Sequence, residues 1–428
     1  MYRDFSVIRI IENTLNYADR RLVSHGRRVA YLTYRALKRQ GAYSPERLAQ
    51  IVLVALLHDI GAFKTEEVDN LLRFDTTHVW GHAVYGSLFI KYFSPLAELS
   101  PVVLFHHANC REIQLAPPEW RDAAQAVFIA DRFDILSQLG GRLTDEQFIG
   151  HFKQDDEEIF SPKLLEYFFP PNWRNLFLEA EEDAEFNEIL YNTELSRENI
   201  LAYVKMIVLA IDFRSQQTVT HTFASSSVSV SLAECLEFSP EDCENIYLGA
   251  MMHDLGKMDV PVSILEKAGK LDADEMSRMR EHAAITEKIL RGNVCDEVMQ
   301  LAVRHHEKLD GSGYPYGLLA ADLSPAQRLI AVADIMSALC NARSYKEAWP
   351  REKVADVMGG MARDGLIDGS MVDAAMRNYD RILASVRRNT APITDVYRVI
   401  RDENRALLER FDLPAGRART AFIAAKDS

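Results

Sequence analysis

Seven residues in the second half of the chain have the types and the order that a pair of divalent metal ions would need: His221, His253, Asp254, His282, His305, His306 and Asp334. Neutral imidazole and carboxylate suit borderline divalent ions such as iron, manganese or zinc, and one aspartate can bridge two ions through its two oxygens. His253 and Asp254 are adjacent, so they cannot both point along one helical direction. They suit a centre in which each ion is reached by different neighbours. Drawing the other ligands from separate helices leaves coordination positions open, as in a catalytic rather than a closed structural site. Two such ions can share and acidify a water, giving hydroxide at neutral pH, while their charge holds a phosphate diester for in-line attack. Lys257, one turn beyond His253, is placed to neutralise charge on the phosphate or the leaving oxygen. Phosphodiester hydrolysis is the chemistry these residues predict, with Asp254 and Lys257 nearest the reaction.

A lone histidine on an apolar helix is usually a packed or a surface residue, and an isolated aspartate is often a helix cap. The histidines here are not isolated. His-Asp occurs twice in similar settings, VALLHDIGAFK and GAMMHDLGKMD, and His-His occurs twice. Laying one set on the other pairs His25 with His221, His58 with His253, His82 with His282, His106 with His305 and Asp131 with Asp334, at offsets between 195 and 203 residues. Five polar markers keep this offset in a chain with 12 histidines. A tandem duplication of one domain explains that, and chance does not.

With HDLGKMDVPVSILEKAGKL (253–271), MREHAAITEKIL (279–290), HHEKLDGSGYPYGL (305–318) and ADIMSALCNARSYKEA (333–348), residues 199–380 resemble the HD-GYP family, Gly313-Tyr314-Pro315 being the tripeptide behind the name. The resemblance implies an all-helical HD domain whose two metals, iron or manganese with nickel, zinc and magnesium as alternatives, serve to hydrolyse cyclic di-GMP to the linear dinucleotide pGpG or to GMP. It implies His221, His253, Asp254, His282, His305, His306 and Asp334 as ligands, with Asp254 bridging. It also implies Lys257, Arg343 and Lys346 as phosphate contacts, and Gly313 to Pro315 as a loop beside the substrate. Members with a third metal have a glutamate four residues before the first histidine. Gln217 stands there, so two metals are expected. An arginine usually follows that histidine closely, whereas HTFASSSVSVS offers alanine and serine. Two other readings stay open: a phosphodiesterase for 3',3'-cyclic GMP-AMP or another nucleotide, and a non-catalytic metal or ligand sensor.

Residues 1–150 look like a second HD-superfamily domain with every ligand type retained, in His25, His58, Asp59, His82, His106, His107 and Asp131, and so with a candidate second metal site. Ala62 replaces the lysine equivalent to Lys257, and HHANCREIQLAPPEW lacks Gly-Tyr-Pro. Lys64, two residues beyond Ala62, is a cation that could compensate, though it would point about 200° further round a continuing helix. A regulatory or scaffolding role is the expectation for this copy, with a second catalytic site as the alternative.

Apolar residues recur at three- and four-residue spacing through most of the chain, as in LVSHGRRVAYLTYRALKRQ and PAQRLIAVADIMSALCNA, which predicts an all-α protein of two tandem helical domains. SSSVSVSLAECL is the clearest alternating run, and it merges into a helical pattern. Residues 151–198, rich in acids and aromatics, read as a helical linker region, and residues 381–428 as a C-terminal helix and tail. A composition of 48% apolar and 26% charged residues describes a folded globular chain. The net charge of -14 disfavours duplex nucleic acid and anionic lipid as partners. The five cysteines are scattered without a C-x-x-C pair. The first residues lack the apolar core of a signal peptide, and no run approaches a membrane span, so a cytoplasmic protein without membrane insertion is expected. A homodimer is compatible with all of this.

Overall fold

Helices are nucleated where the sequence supplies caps. Ser239 opens helix Pro240–Met252 with a reciprocal capping box to Asp242 and a proline in the first turn. Asp272 and Glu275 do the same for helix Ala273–Leu290, and Ser44 caps Pro45–Leu56. Each device satisfies backbone N–H groups that the first turn leaves without partners. The computed structural model describes residues 5–18, 23–62, 80–139, 144–153, 159–169, 173, 179–180, 182–192, 195–215, 219–267, 269–340 and 349–411. Among these the elements are helices, and the β geometry is one isolated bridge between Asp310 and Leu319. No described helix is long and apolar enough to cross a membrane.

The C-terminal half is organised around helix His221–Cys235, which is buried along most of its length and packs against Pro240–Met252 and Pro325–Cys340. Ala224, Val228 and Leu232 from it join Ile246, Ile330, Ala333, Met336 and Val354 in the core. The serine-rich run thus forms a core helix. It can do so because Ser227 and Ser229 donate their hydroxyls to the carbonyls of Phe223 and Ser225, at 2.6 and 2.8 Å, although the buried Ser225 hydroxyl has no such partner. The N-terminal half repeats the plan: helix His25–Gln40 packs between Pro45–Leu56 and Arg121–Leu139.

The chain divides into two compact units, one of residues 1–18 with 204–399 and one of residues 19–203 with 400 onward. This differs from boundaries at 150 and 381 for a physical reason. Helix Val7–Asn16 buries Val7, Ile10 and Ile11 in the C-terminal unit, where the amide of Ser6 donates to the Asn293 carbonyl at 2.9 Å. Helix Tyr379–Phe411 begins earlier than expected and contributes Ile382 and Val386 to that same core. Its last turns belong to the N-terminal unit, with Glu403 paired to Lys91 at 2.9 Å and Phe411 stacked on Trp80. The aromatic residues of 151–198 likewise join the N-terminal unit, Phe152 and Trp173 lying against Phe133 and Phe148.

One glycine in each repeat is fixed by close approach. A Cβ on Gly256 would sit 2.0 Å from the His282 carbonyl oxygen, and one on Gly61 would sit 2.1 Å from that of His82. The His-Asp corner is thereby pressed onto the helix that supplies the next ligand. Gly256→Ala should destabilise the protein by about 1 to 3 kcal/mol, because backbone must shift to admit the methyl. Thermal unfolding checks this, with Gly150→Ala as the control that should not destabilise, since it lies in helix Asp145–Lys153 and nothing is within 4 Å of the added Cβ.

Candidate metal centre

Helix Pro240–Met252 stops just before His253, and a short 3-10 turn begins at Leu255. The break lets neighbouring side chains diverge. His253 turns its Nδ1 back onto the Ala250 carbonyl at 2.7 Å. His282 does the same to Met279 at 2.6 Å, and His305 to Ala302 at 2.7 Å. A carbonyl oxygen only accepts, so the ring proton sits on Nδ1 and the Nε2 lone pair points the other way. Thr286 braces the corner, accepting from the Gly256 amide at 2.9 Å and donating to the His253 carbonyl at 3.1 Å.

The lone pairs converge. Asp254 Oδ2 lies 3.4 Å from His221 Nε2 and 3.1 Å from His253 Nε2, while Asp334 Oδ1 lies 3.5 and 3.7 Å from the same two atoms. Asp254 Oδ1 faces the other way, 3.5 Å from His282 Nε2. His282 Nε2 in turn is 3.3 Å from His305 Nε2, and the His306 ring packs on His305. Ligand atoms about 2.1 Å from a tetrahedral ion sit about 3.4 Å from one another. These spacings fit one ion among His221, His253, Asp254 and Asp334 and another among Asp254, His282, His305 and His306.

The buried atoms test that fit. His253 Nε2, Asp254 Oδ1 and Asp334 Oδ1 are buried and have no hydrogen-bond partner. His282 and His305 aim two lone pairs at each other, an arrangement that a hydrogen bond cannot satisfy and a cation can. Burial pushes His253 down, yet Asp254 and Asp334 carry it up to about 9. Burial also pushes Asp254 up, and His253 and Lys257 overcome it and hold the carboxyl well below its usual range. Burial, with the Lys257 charge adding to it against Asp254, lowers His282 to about 4, and burial beside the other imidazoles keeps His305 and His306 well below the ordinary value. Burial lowers His221 as well, so the metal-free cluster holds four imidazoles toward the neutral form and His253 toward the protonated one.

Around this cluster lie Lys257 and the Gly-Tyr-Pro loop, together with Glu307, Arg280 and Lys308, which composition and spacing did not single out. Lys257 Nζ donates to Asp254 Oδ2 at 2.6 Å, as expected of a cation at the centre. The Gly-Tyr-Pro loop is tied down by Glu307, a buried carboxylate that accepts from the Tyr316 amide at 2.7 Å and the Leu318 amide at 2.9 Å. Gly313 passes so close to Glu307 and Lys308 that a Cβ would lie 2.3 Å from the Lys308 amide nitrogen. The Tyr314 ring, preceding Pro315, lies 4.7 Å from the His306 ring, and the exposed Arg280 guanidinium sits over the Tyr314 ring at 5.3 Å. Lys308 is largely buried, and burial pulls its ammonium below its ordinary value against Asp334 and Asp310. Glu307 and Arg280 were legible only as an acid beside the His-His pair and a base two residues before His282. Arg343, Lys346 and Gln217 lie outside the described residues, as does Lys64.

The N-terminal copy also brings its seven residues together, though His82 Nε2 faces His107 Nε2 at 2.9 Å where His282 faces His305. Asp59 Oδ2 faces His25 and His58 Nε2 at 3.6 and 3.4 Å, and Asp59 Oδ1 faces His82 and His106 Nε2 at 3.6 and 3.7 Å. Ala62 is buried where Lys257 stands in the other copy.

Comparison with known proteins agrees with the two-copy geometry. The HD-domain family pattern matches twice, over residues 203–371 and residues 22–136. The chain belongs to the HD-domain family, in its HD-GYP branch. The tandem HD chain is similar to 3'3'-cGAMP-specific phosphodiesterase 1 of Vibrio cholerae, 28% identical over 377 residues that cover 83% of this chain and 87% of the relative. Its HD-GYP half is similar to a cyclic di-GMP phosphodiesterase response regulator of Xanthomonas campestris, 37% identical over 48% of this chain and 53% of the relative. A crystal structure of a cyclic GMP-AMP-specific phosphodiesterase from V. cholerae shares the fold at 18% identity, with a TM-score of 0.54 over 90% of this chain and 98% of that one. HD-domain phosphohydrolases depend on metal, and the HD-GYP cluster has the donors for it.

Metal uptake by the HD-GYP centre should release a proton. His253 is protonated below about 9 in the metal-free chain, so an ion must displace that proton at any lower pH. Affinity should fall as pH falls, by up to about tenfold per unit, and level off above the His253 value. Competition against a chelator of known affinity at three pH values, with proton release read by calorimetry in two buffers, measures it; pH-independent affinity would contradict the assignment.

Proposed function

We propose that the C-terminal centre is a metal-dependent phosphodiesterase that opens cyclic di-GMP to the linear dinucleotide and on to GMP. The observation that supports it best is Asp254, whose two oxygens face two separate sets of imidazoles while Lys257 stands 2.6 Å away on the same carboxylate. Two divalent ions bound there would supply an acidified water and Lewis acidity at the phosphate. Iron or manganese are the ions this donor set suits, through His221, His253, Asp254, His282, His305, His306 and Asp334.

The chain's own groups then have separate tasks. Lys257 neutralises charge that builds on the phosphate or the departing oxygen, in a site where burial strengthens each charge. Tyr314 offers a ring face beside His306, and the family resemblance implies Arg343 and Lys346 as further phosphate contacts. Glu307 fixes the loop that carries Tyr314, so that the ring meets substrate without reorganising. A second reading, 3',3'-cyclic GMP-AMP as substrate, is favoured by the relative that matches across both domains and is specific for that nucleotide. A sensor without turnover is not favoured, since the matching relatives are phosphodiesterases.

Purified protein loaded anaerobically with ferrous iron or manganese should hydrolyse a cyclic dinucleotide, and chromatography of both candidate substrates in parallel decides between them. Lys257→Met should lower kcat about 10²- to 10³-fold with metal content unchanged, the usual loss for one charge-stabilising donor. Absence of turnover on every cyclic dinucleotide would sink the proposal. Glu307→Gln presents an amide N–H₂ to an amide donor and should free the loop. About a tenfold rise in KM, with metal content and melting temperature held, is the expected result.

A further inference from the structure

Helix Arg197–Asp212 runs out into three consecutive residues that each hold a different neighbour. Asp212 is buried, and its carboxylate accepts from the Thr222 amide at 3.3 Å and the Thr222 hydroxyl at 3.0 Å, next to the ligand His221. Phe213 is buried edge-on against the Tyr397 ring at 4.8 Å. Arg214 is half-buried and donates from Nη1 to the carbonyls of Lys257 and Met258, at 2.8 and 2.7 Å.

Those two carbonyls belong to the short 3-10 turn Leu255–Asp259. So short a turn has few bonds of its own, and its last carbonyls need partners from outside. Thr286 braces its start through the Gly256 amide at 2.9 Å, and Arg278 holds its end at the Asp259 carbonyl, 3.2 Å away. Arg214 meets the middle, at the residue whose ammonium reaches Asp254 Oδ2. A guanidinium on two carbonyls makes charge-assisted bonds, which are stronger than neutral ones and fix direction. The internal repeat separates this bond from ligand assembly. At the offset of 196 that pairs His221 with His25, Arg214 falls on Ala18, and Lys257 falls on Ala62. The copy without the lysine is without the arginine too, although it keeps all the ligand types.

We propose that Arg214 is a positioning residue for the hydrolytic centre: it fixes the backbone of Lys257 and Met258, so that the Lys257 ammonium stays aimed at the carboxylate between the two ligand sets. Its effect on rate rests on the phosphodiesterase reading above, whereas the bond to the turn does not. A long, flexible side chain reaches a fixed point only from a fixed backbone, and a displacement of about 1 Å at such a group can cost about 10² in rate. Asp212, two residues earlier, secures Thr222 beside His221. The first ligand and the lysine are therefore mounted on one segment, and the lysine keeps its place relative to the ligands.

Kinetics of the full-length, metal-loaded protein test this. Arg214→Met should lower kcat about 10- to 10²-fold, with KM and metal content unchanged. Arg214→Lys, whose ammonium can meet one of the two carbonyls, should fall between that variant and wild type. A double-mutant cycle tells positioning from general support of the fold. On a Lys257→Met background, Arg214→Met should cost nothing further in kcat. An equal loss on both backgrounds, or no loss on either, would overturn the proposal. Should Arg214→Met not fold, Arg214→Lys takes its place in the cycle. Hydrogen–deuterium exchange reads the bond without turnover. The amides of residues 255–260 should exchange about tenfold faster in the same variant, while those of 273–290 keep their wild-type rates. Unchanged exchange at 255–260 would overturn the proposal whatever the kinetics. A wild type inert toward every cyclic dinucleotide would count against the phosphodiesterase, and the exchange result would then decide on Arg214 alone.

Discussion

The imidazole tether at the helix ends is the interaction on which the site depends. In each copy a histidine that follows the last helical turn returns its Nδ1 proton to a carbonyl three residues back, His58 to Ala55 and His253 to Ala250. That bond is made at a helix end, where carbonyls lack their full set of intrahelical partners. It also fixes which nitrogen is basic, and so turns a lone pair into the centre. The same bond at His282 and His305 leaves two lone pairs facing each other at 3.3 Å. Among the described residues no donor fills that gap, so the fold carries a concentrated demand for positive charge at its core.

The duplication acts as an internal control on which features belong to ligation and which to catalysis. Both copies keep the tethers, the bridging geometry of Asp59 and Asp254, and the glycine pressed onto the next ligand helix. These features make a place for metal. Lys257, the Gly-Tyr-Pro loop and its Glu307 anchor occur only in the C-terminal copy, which separates them from holding ions and joins them to handling a substrate.

Much of this was legible in sequence because ligands are chemically rare residues and duplication fixes their offset. The all-helical character followed from apolar period, and even the alternating serine run proved helical once its hydroxyls bonded inside the helix. What stayed hidden depends on contacts distant in sequence. Val7–Asn16 reads as an ordinary amphipathic helix, and nothing in it says that its apolar face will meet residues near 290. Glu307 is one of many acids until the loop folds back and gives it two amides to hold. Arg132 looks like a surface base on helix Arg121–Leu139 until its burial beside Asp131 is seen.

The missing arginine after His221 is explained by the same comparison. In the N-terminal copy Arg28 pairs with Asp134, and Asp134 orients His25. In the catalytic copy both partners are gone together, with Ala224 and Ser337 in their places, and Ser337 donates its hydroxyl to the carbonyl of Asp334. Losing either charge alone would strand the other in the core, at a cost of about 3 to 5 kcal/mol. Losing both costs far less, and it removes a clamp from the first histidine ligand while leaving the packing to Ala224 and Val228.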